Sequence, residues 1–144
     1  MENNRDNYLI SVTGIQEVDG EQDKIELQTI GSYMVKPNHK YIGYREYDED
    51  NPSVSSKNLV KVEDDNRVTI IRNGSKQTRL IIEKGKRHQC LYRTVMGDLM
   101  IGISAEQINN NLTDKGGNLH VKYSLDFNNE FMSKNEFFIS VEEK

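Results

Sequence analysis

Residues 117–127, GNLHVKYSLDF, alternate without a break. Leu119, Val121, Tyr123, Leu125 and Phe127 point one way, and His120, Lys122, Ser124 and Asp126 point the other. Only an extended strand sends successive side chains to opposite faces, so the pattern predicts a strand with one face buried and one in water. The same period of two recurs along the chain. DKIELQTIGSYMVK places Ile25, Leu27, Thr29, Gly31, Tyr33 and Val35 on one face. NYLISVTGIQE, KYIGYREY, SKNLVKVED, NRVTIIRN, QTRLIIE, RHQCLYRTV, DLMIGIS and NEFFISV follow as further strands. About ten strands result, well above the usual strand share.

The joints agree with this reading. Asn73-Gly74, Lys84-Gly85, Met96-Gly97 and Lys115-Gly116-Gly117 separate successive runs, and Gly or Asn accepts the positive φ of tight hairpins. Asn51-Pro52 ends the third strand. The best helical candidate is SAEQINNNLTD, but three consecutive Asn residues are poor helix formers. A long strand with a bulge near Glu106 fits better. It shifts the inward set from Leu99, Ile101 and Ile103 to Ile108 and Leu112. Sequential strands joined by short hairpins form an antiparallel meander, and a long meander exposes its edges unless it closes. The expected fold is therefore all-β: one domain over residues 1–144, a closed antiparallel meander barrel of about eight to ten strands.

A chain of 144 residues is long enough to bury one continuous core. The apolar share is 35%, on the polar side for a globular protein, yet its residues fall in regular runs, which favours a folded chain over a disordered one. Cys90 is the single cysteine, so neither an internal disulfide framework nor a multi-cysteine zinc site can form. MENNRDNYLIS has no apolar signal core, and the expected location is the cytoplasm, where a lone thiol stays reduced. No cofactor and no metal are expected.

Several short pieces recur in a familiar order. They are Gly31-Ser-Tyr33 with Val35-Lys36, Tyr44-Arg-Glu46, Arg72-Asn-Gly74, and Tyr92-Arg-Thr94 followed by Gly97-Asp-Leu99. Gly117-Asn-Leu119 with Tyr123-Ser-Leu125, and Asn135-Glu-Phe137-Phe-Ile139, continue the series. In this the chain resembles the YwiB-like family, small uncharacterised proteins of Gram-positive bacteria with a lipocalin-like (calycin) barrel. It departs from the family at Met96, where an aromatic usually precedes the glycine. The resemblance implies a closed antiparallel barrel and implies no activity.

Three candidate surfaces follow. Tyr44 and Glu46 share a strand face with Ile42, Arg72 shares one with Val68 and Ile70, and Tyr92 and Thr94 share one with Cys90. Inward-facing, these residues set charges among apolar positions. A guanidinium cannot shed its proton, so Arg72 needs a partner, and Glu46 is the obvious one. The pair reads either as a structural tie or as a site for a small anionic or amphipathic ligand in the barrel interior, with Arg72 gripping a carboxylate or phosphate through its planar fork. The second surface is basic. Residues 67–93 carry eight Lys or Arg against one acid, Glu83, in a chain of net charge −4. Arg67, Arg79, Lys84, Lys86, Arg87 and Arg93 could serve RNA, although no aromatic RNA-binding motif accompanies them. The third is a protein–protein surface, homodimeric or otherwise, built on Phe131, Met132 and Phe138. A catalytic reading finds no support: no Gly-x-Ser-x-Gly elbow occurs, and Gly85-Lys86 lacks the rest of a phosphate loop.

Overall fold

The computed structural model describes residues 7–47, 55–74, 77–94 and 97–144, with the backbone alone at 93 and 94. Ten strands account for nearly all of them: β1 (Tyr8–Val18), β2 (Glu21–Lys36), β3 (His39–Tyr47), β4 (Ser55–Glu63) and β5 (Arg67–Asn73) in the first half. β6 (Gln77–Glu83), β7 (Arg87–Thr94), β8 (Gly97–Thr113), β9 (Gly116–Phe127) and β10 (Glu130–Glu143) make up the second. One antiparallel sheet holds them in the order β6-β5-β4-β3-β2-β1-β10-β9-β8-β7. The meander curls until β1 pairs with β10 along Tyr8↔Glu143 through Glu17↔Lys134. The result is a nearly closed barrel. Among the described residues its seam lies between β6 and β7, which touch as a ladder only at the Glu83↔Lys86 bridge beside the turn.

The expected bulge is present. β8 is one strand, and its register to β9 shifts between Ala105 and Gln107. Ile101 and Ile103 face the core before the shift and Ile108 and Leu112 after it, all four buried. A second shift, between Phe131 and Ser133, brings buried Ser133 opposite Leu125. The turns carry positive φ where expected at Gly85 (75°) and Gly97 (120°), and also at Asp19-Gly20 and Asn128-Asn129. The Asn51-Pro52 turn and Met96 lie outside the described residues.

The two ends of the barrel differ. At the end holding the chain termini, Tyr33 is 1% exposed and its hydroxyl crosses the lumen to donate to the Thr113 carbonyl at 2.6 Å. Tyr8 meets the Tyr33 ring edge-to-face with centroids 5.5 Å apart, closing that end. The middle of the lumen is filled by branched side chains, among them Ile10, Ile42, Val68, Ile101, Val121 and Ile139. At the opposite end, where β1 finishes at Val18, β5 at Asn73 and β9 at Phe127, the inward-parity residues Ile25, Tyr92, Leu99 and Phe127 are exposed, and among the described residues no aromatic pair spans the lumen as Tyr8 and Tyr33 do. There the β1–β2 hairpin runs past the packed core. Ile25, on the core-facing parity of β2, is therefore 68% exposed.

Two glycines report on this geometry. Gly117 has φ 133°, and a Cβ there would lie 2.3 Å from the Asn111 carbonyl oxygen. Gly14, on the inner face of β1 between Ile25 and Phe137, has open space around an added Cβ. Gly117→Ala is expected to destabilise the barrel by about 2–3 kcal/mol, through strain and a backbone clash. Gly14→Ala is expected to stabilise it by roughly 0.4–1 kcal/mol, by restricting the unfolded chain. Urea unfolding midpoints of the two variants check both signs.

Candidate functional site

Strand register assembles the inner wall near the open mouth. Tyr44, Asn58, Arg72 and Thr78 are cross-strand partners in sequence from β3 to β6, so they form one row. The row behind it, one pleat deeper, is Ile42, Val60, Ile70 and Leu80. The wall thus turns from apolar to polar within two residues, about 7 Å along each strand. Glu46 stands opposite Ser56, one further step toward the mouth.

The sequence expectation that Tyr44, Glu46 and Arg72 share the inner face holds, but their depth differs from a deep interior site. The Arg72 side chain is 55% exposed and that of Glu46 35%. A guanidinium keeps most of its donors in water unless every one is matched, and at this rim it can do so without leaving the wall. Arg72 Nη2 lies 3.5 Å from Glu46 Oε1, its one described partner. Asn58 Nδ2 donates to the same oxygen at 3.2 Å, and Asn58 is 4% exposed. Asn58 was missed from the sequence, although its place on the parity of Val60 and Val62 marked a polar group facing the core. Burial pushes the Tyr44 phenol up to about 12, Glu46 adds to the rise, and Arg72 offsets part of it.

Tyr92 belongs to a second cluster. It faces Tyr123, whose phenol is pushed up to about 12 by burial first and by Tyr92 second. Tyr123 in turn packs edge-on to Phe137 with centroids 6.3 Å apart. Among the described residues no hydrogen bond joins Tyr92 to Arg72 or Glu46, so the described contacts link Arg72, Glu46 and Asn58 and leave Tyr92 with Tyr123. The Thr94 side chain lies outside the described residues. Tyr92, Leu99, Phe127 and Ile25 all carry inward parity near the mouth and remain partly exposed. They give the mouth an apolar rim beside the Arg72 row.

The basic stretch is divided. Arg67 lies 3.2 Å from Glu63 and 3.9 Å from Glu83, the first contact lacking hydrogen-bond alignment. Arg87 forms a two-pronged bond to Asp126, Nε to Oδ2 at 3.0 Å and Nη2 to Oδ1 at 2.6 Å. It reaches β9 by lying over Gly102 of β8, where any Cβ would strike the guanidinium. Arg79, Lys84 and Lys86 are exposed and have no carboxylate in ion-pair range among the described residues. The Arg93 side chain lies outside them. His88 Nε2 and Glu83 Oε1 sit 2.8 Å apart across the seam, and buried Cys90 is a free thiol. Among the described residues no group of three His, Cys, Asp or Glu side chains is placed to hold a metal. Phe131, Met132 and Phe138 are solvent-facing, and Phe138 is partly covered by the parallel His120 ring at 4.1 Å.

With this geometry in place, relatives can be compared. Residues 10–139 match the model of a domain of unknown function, DUF1934. The chain belongs to this family. It is 29% identical over 121 residues to the "Uncharacterized beta-barrel protein YwiB" of Bacillus subtilis (strain 168), covering 84% of this chain and 82% of that protein. The crystal structure of that organism's ywiB protein superposes with a TM-score of 0.79 at 25% identity, over 95% of this chain and 91% of the other. The YwiB-like resemblance and the ten-stranded barrel are thus both shown. The family match brings a fold with no assigned activity.

Two expectations follow from the titrating groups. Tyr33, Tyr44 and Tyr123 each hold their proton to about 12 when folded against 10.0 in the unfolded chain. A raised folded pKa means that this stability is complete below pH 10 and is lost as pH climbs to about 12. Phenolate absorbance of these three groups is expected to appear together with unfolding, and full ionisation of a still-folded barrel at pH 10 would contradict it. Asp126 shows the opposite sign. Its bond to Arg87 holds the carboxyl below the usual range, so its contribution is present above the unfolded value and fades as pH falls. Carboxyl NMR titration of Arg87→Ala is expected to return Asp126 toward the ordinary range.

Proposed function

We propose that this protein is a non-catalytic binding barrel that takes a small amphipathic anion, an apolar body with a carboxylate or phosphate head, at its open mouth. The observation that carries this reading is the half-exposed Arg72 on the inner wall, held by one carboxylate at 3.5 Å. Such a contact leaves the planar fork able to accept a bidentate anion in place of Glu46. Asn58 and Tyr44 stand beside it as neutral polar groups. The partly exposed Ile25, Phe127, Leu99 and Tyr92 offer apolar surface to the body of the ligand. Because the middle of the lumen is occupied by packed side chains, the ligand's place in this reading is the mouth and not the deep interior.

The competing reading is a structural tie, and the two predict different responses. An exposed tie contributes about 0–1 kcal/mol of stability and nothing to binding. Anilinonaphthalene sulfonate serves as the reporter, displaced by decanoate, decyl phosphate or uncharged decanol. Arg72→Gln is expected to weaken decanoate about tenfold or more, the scale of one lost charged hydrogen bond, and to leave decanol unchanged. Glu46→Gln is expected to strengthen decanoate by removing the resident carboxylate. Equal affinities for decanoate and decanol, or decanoate binding indifferent to both substitutions, would overturn the proposal.

A further inference from the structure

The seam between β6 and β7 is unusual for its place in the chain. These strands are joined by the short turn 84–86, and a tight antiparallel connection normally brings a full ladder with it. Every other consecutive pair in the barrel has such a ladder, and the two chain ends have one as well. β6 pairs only with β5 and β7 only with β8 among the described strands, so each turns one row of backbone donors and acceptors to the seam. The start of β7 is tied to both sides by its side chains. Arg87 is drawn over Gly102 to Asp126 on β9, and contact across the seam passes to the His88–Glu83 pair.

Past the Glu83↔Lys86 bridge the strands part around a cleft of about 510 Å³, lined by Gln77, Arg79, Ile81, Gln89, Cys90 and Leu91. Among the described residues the lining holds one cation and no acid. Lys84 and Lys86 extend the positive edge at the turn, and the segment's single acid, Glu83, is already engaged by His88 and Arg67. Leu91 is 40% exposed along the same opening.

We infer that this seam is a docking site for an extended acidic segment of a partner protein, added as a strand on the β6 edge. Strand addition satisfies the free backbone row, and alternate side chains then read the two faces. Outward acids of the incoming strand meet Arg79 and the turn lysines. Its inward residues are small and apolar, because they meet the core side of the seam at Leu80 and Cys90. Charge also selects against a second copy of this chain in that place, since two β6 edges would bring Arg79 and its neighbours together. Nucleic acid fits the opening less well. The edge offers peptide donors and acceptors in alternation, and among the described residues the cleft lining holds no aromatic ring on which a base could stack.

The test uses the full chain and a fluorescent octapeptide of alternating Glu and Val. Fluorescence anisotropy is expected to show saturable binding that falls about tenfold or more with Arg79→Glu, and by a similar factor when alternate peptide amides are methylated. A Lys–Val peptide is expected to bind about tenfold more weakly than the Glu–Val one. Hydrogen exchange of residues 77–83 is expected to slow in the complex. Circular dichroism of Arg79→Glu, an exposed site, verifies the fold. No saturable binding at millimolar peptide, or binding that survives amide methylation, overturns the inference. It is equally overturned by a short RNA that binds where the peptide fails, or by a free dimer whose own contact protects the β6 amides.

Discussion

The pairing of β1 with β10 is the interaction on which the rest depends. A ten-stranded meander without it has both chain ends as free edges and no reason to curl. With it, the inner faces of all strands converge, and alternation along each becomes a filled lumen. The register Ile10↔Val141 and Val12↔Ile139 shows the consequence, since core residues from opposite ends of the sequence share one layer. Contacts this distant in sequence are costly to form early, because the loop must close before they stabilise anything. The local hairpins therefore have to be self-consistent first, and the turn chemistry at Asp19-Gly20, Asn128-Asn129 and Gly85 meets that demand.

Closure also explains why the two ends of the barrel differ. Tyr33 crosses the lumen to a carbonyl on β8, so a buried hydroxyl is satisfied and one end is sealed without a charged group. At the other end the wall becomes polar within one pleat step, and Asn58, Glu46 and Arg72 appear on positions where apolar residues stand deeper in. A charge at that depth needs either complete pairing or access to water. Arg72 has access to water. Its long contact to Glu46, the one partner among the described residues, is what an exposed, replaceable partner looks like, in contrast to the two-pronged Arg87–Asp126 bond on the outer face. The two arginines belong to one basic stretch of the sequence and face opposite sides of the barrel wall.

Much of this was legible in the sequence, because strand parity is a local rule. The run Leu119, Val121, Tyr123, Leu125 fixed one buried face, and the parity change across Glu106 announced the bulge. Parity also placed Tyr44, Glu46 and Arg72 on the inner wall. Depth was not legible, because it depends on stagger between strands and on how far a hairpin overshoots the core. Ile25 has the right parity and lies outside the packed lumen for that reason. Asn58 was overlooked because a lone Asn between Val-rich positions reads as a strand end until its cross-strand partner is known. The division of the basic stretch was equally hidden, since Arg87 finds Asp126 two strands away and Arg67 finds Glu63 and Glu83 on both neighbours.

The seam lies beside these same side chains. A barrel that failed to close through lack of strand length would open at its chain ends, where nothing covalent holds the edges together. This one is zipped there along ten residues of β1 and is open between two strands joined by a short turn. Proximity was available at β6 and β7, and the ladder still did not form. The strands nearest the seam are also short, seven and eight residues, and the cation on the free edge, Arg79, has no carboxylate in ion-pair range among the described residues. Charged, short edges are how sheets avoid indiscriminate pairing. An edge that carries Arg79 beside the turn lysines disfavours pairing with a second copy of itself, and in the inference drawn for the seam the same charge favours an incoming strand of opposite sign.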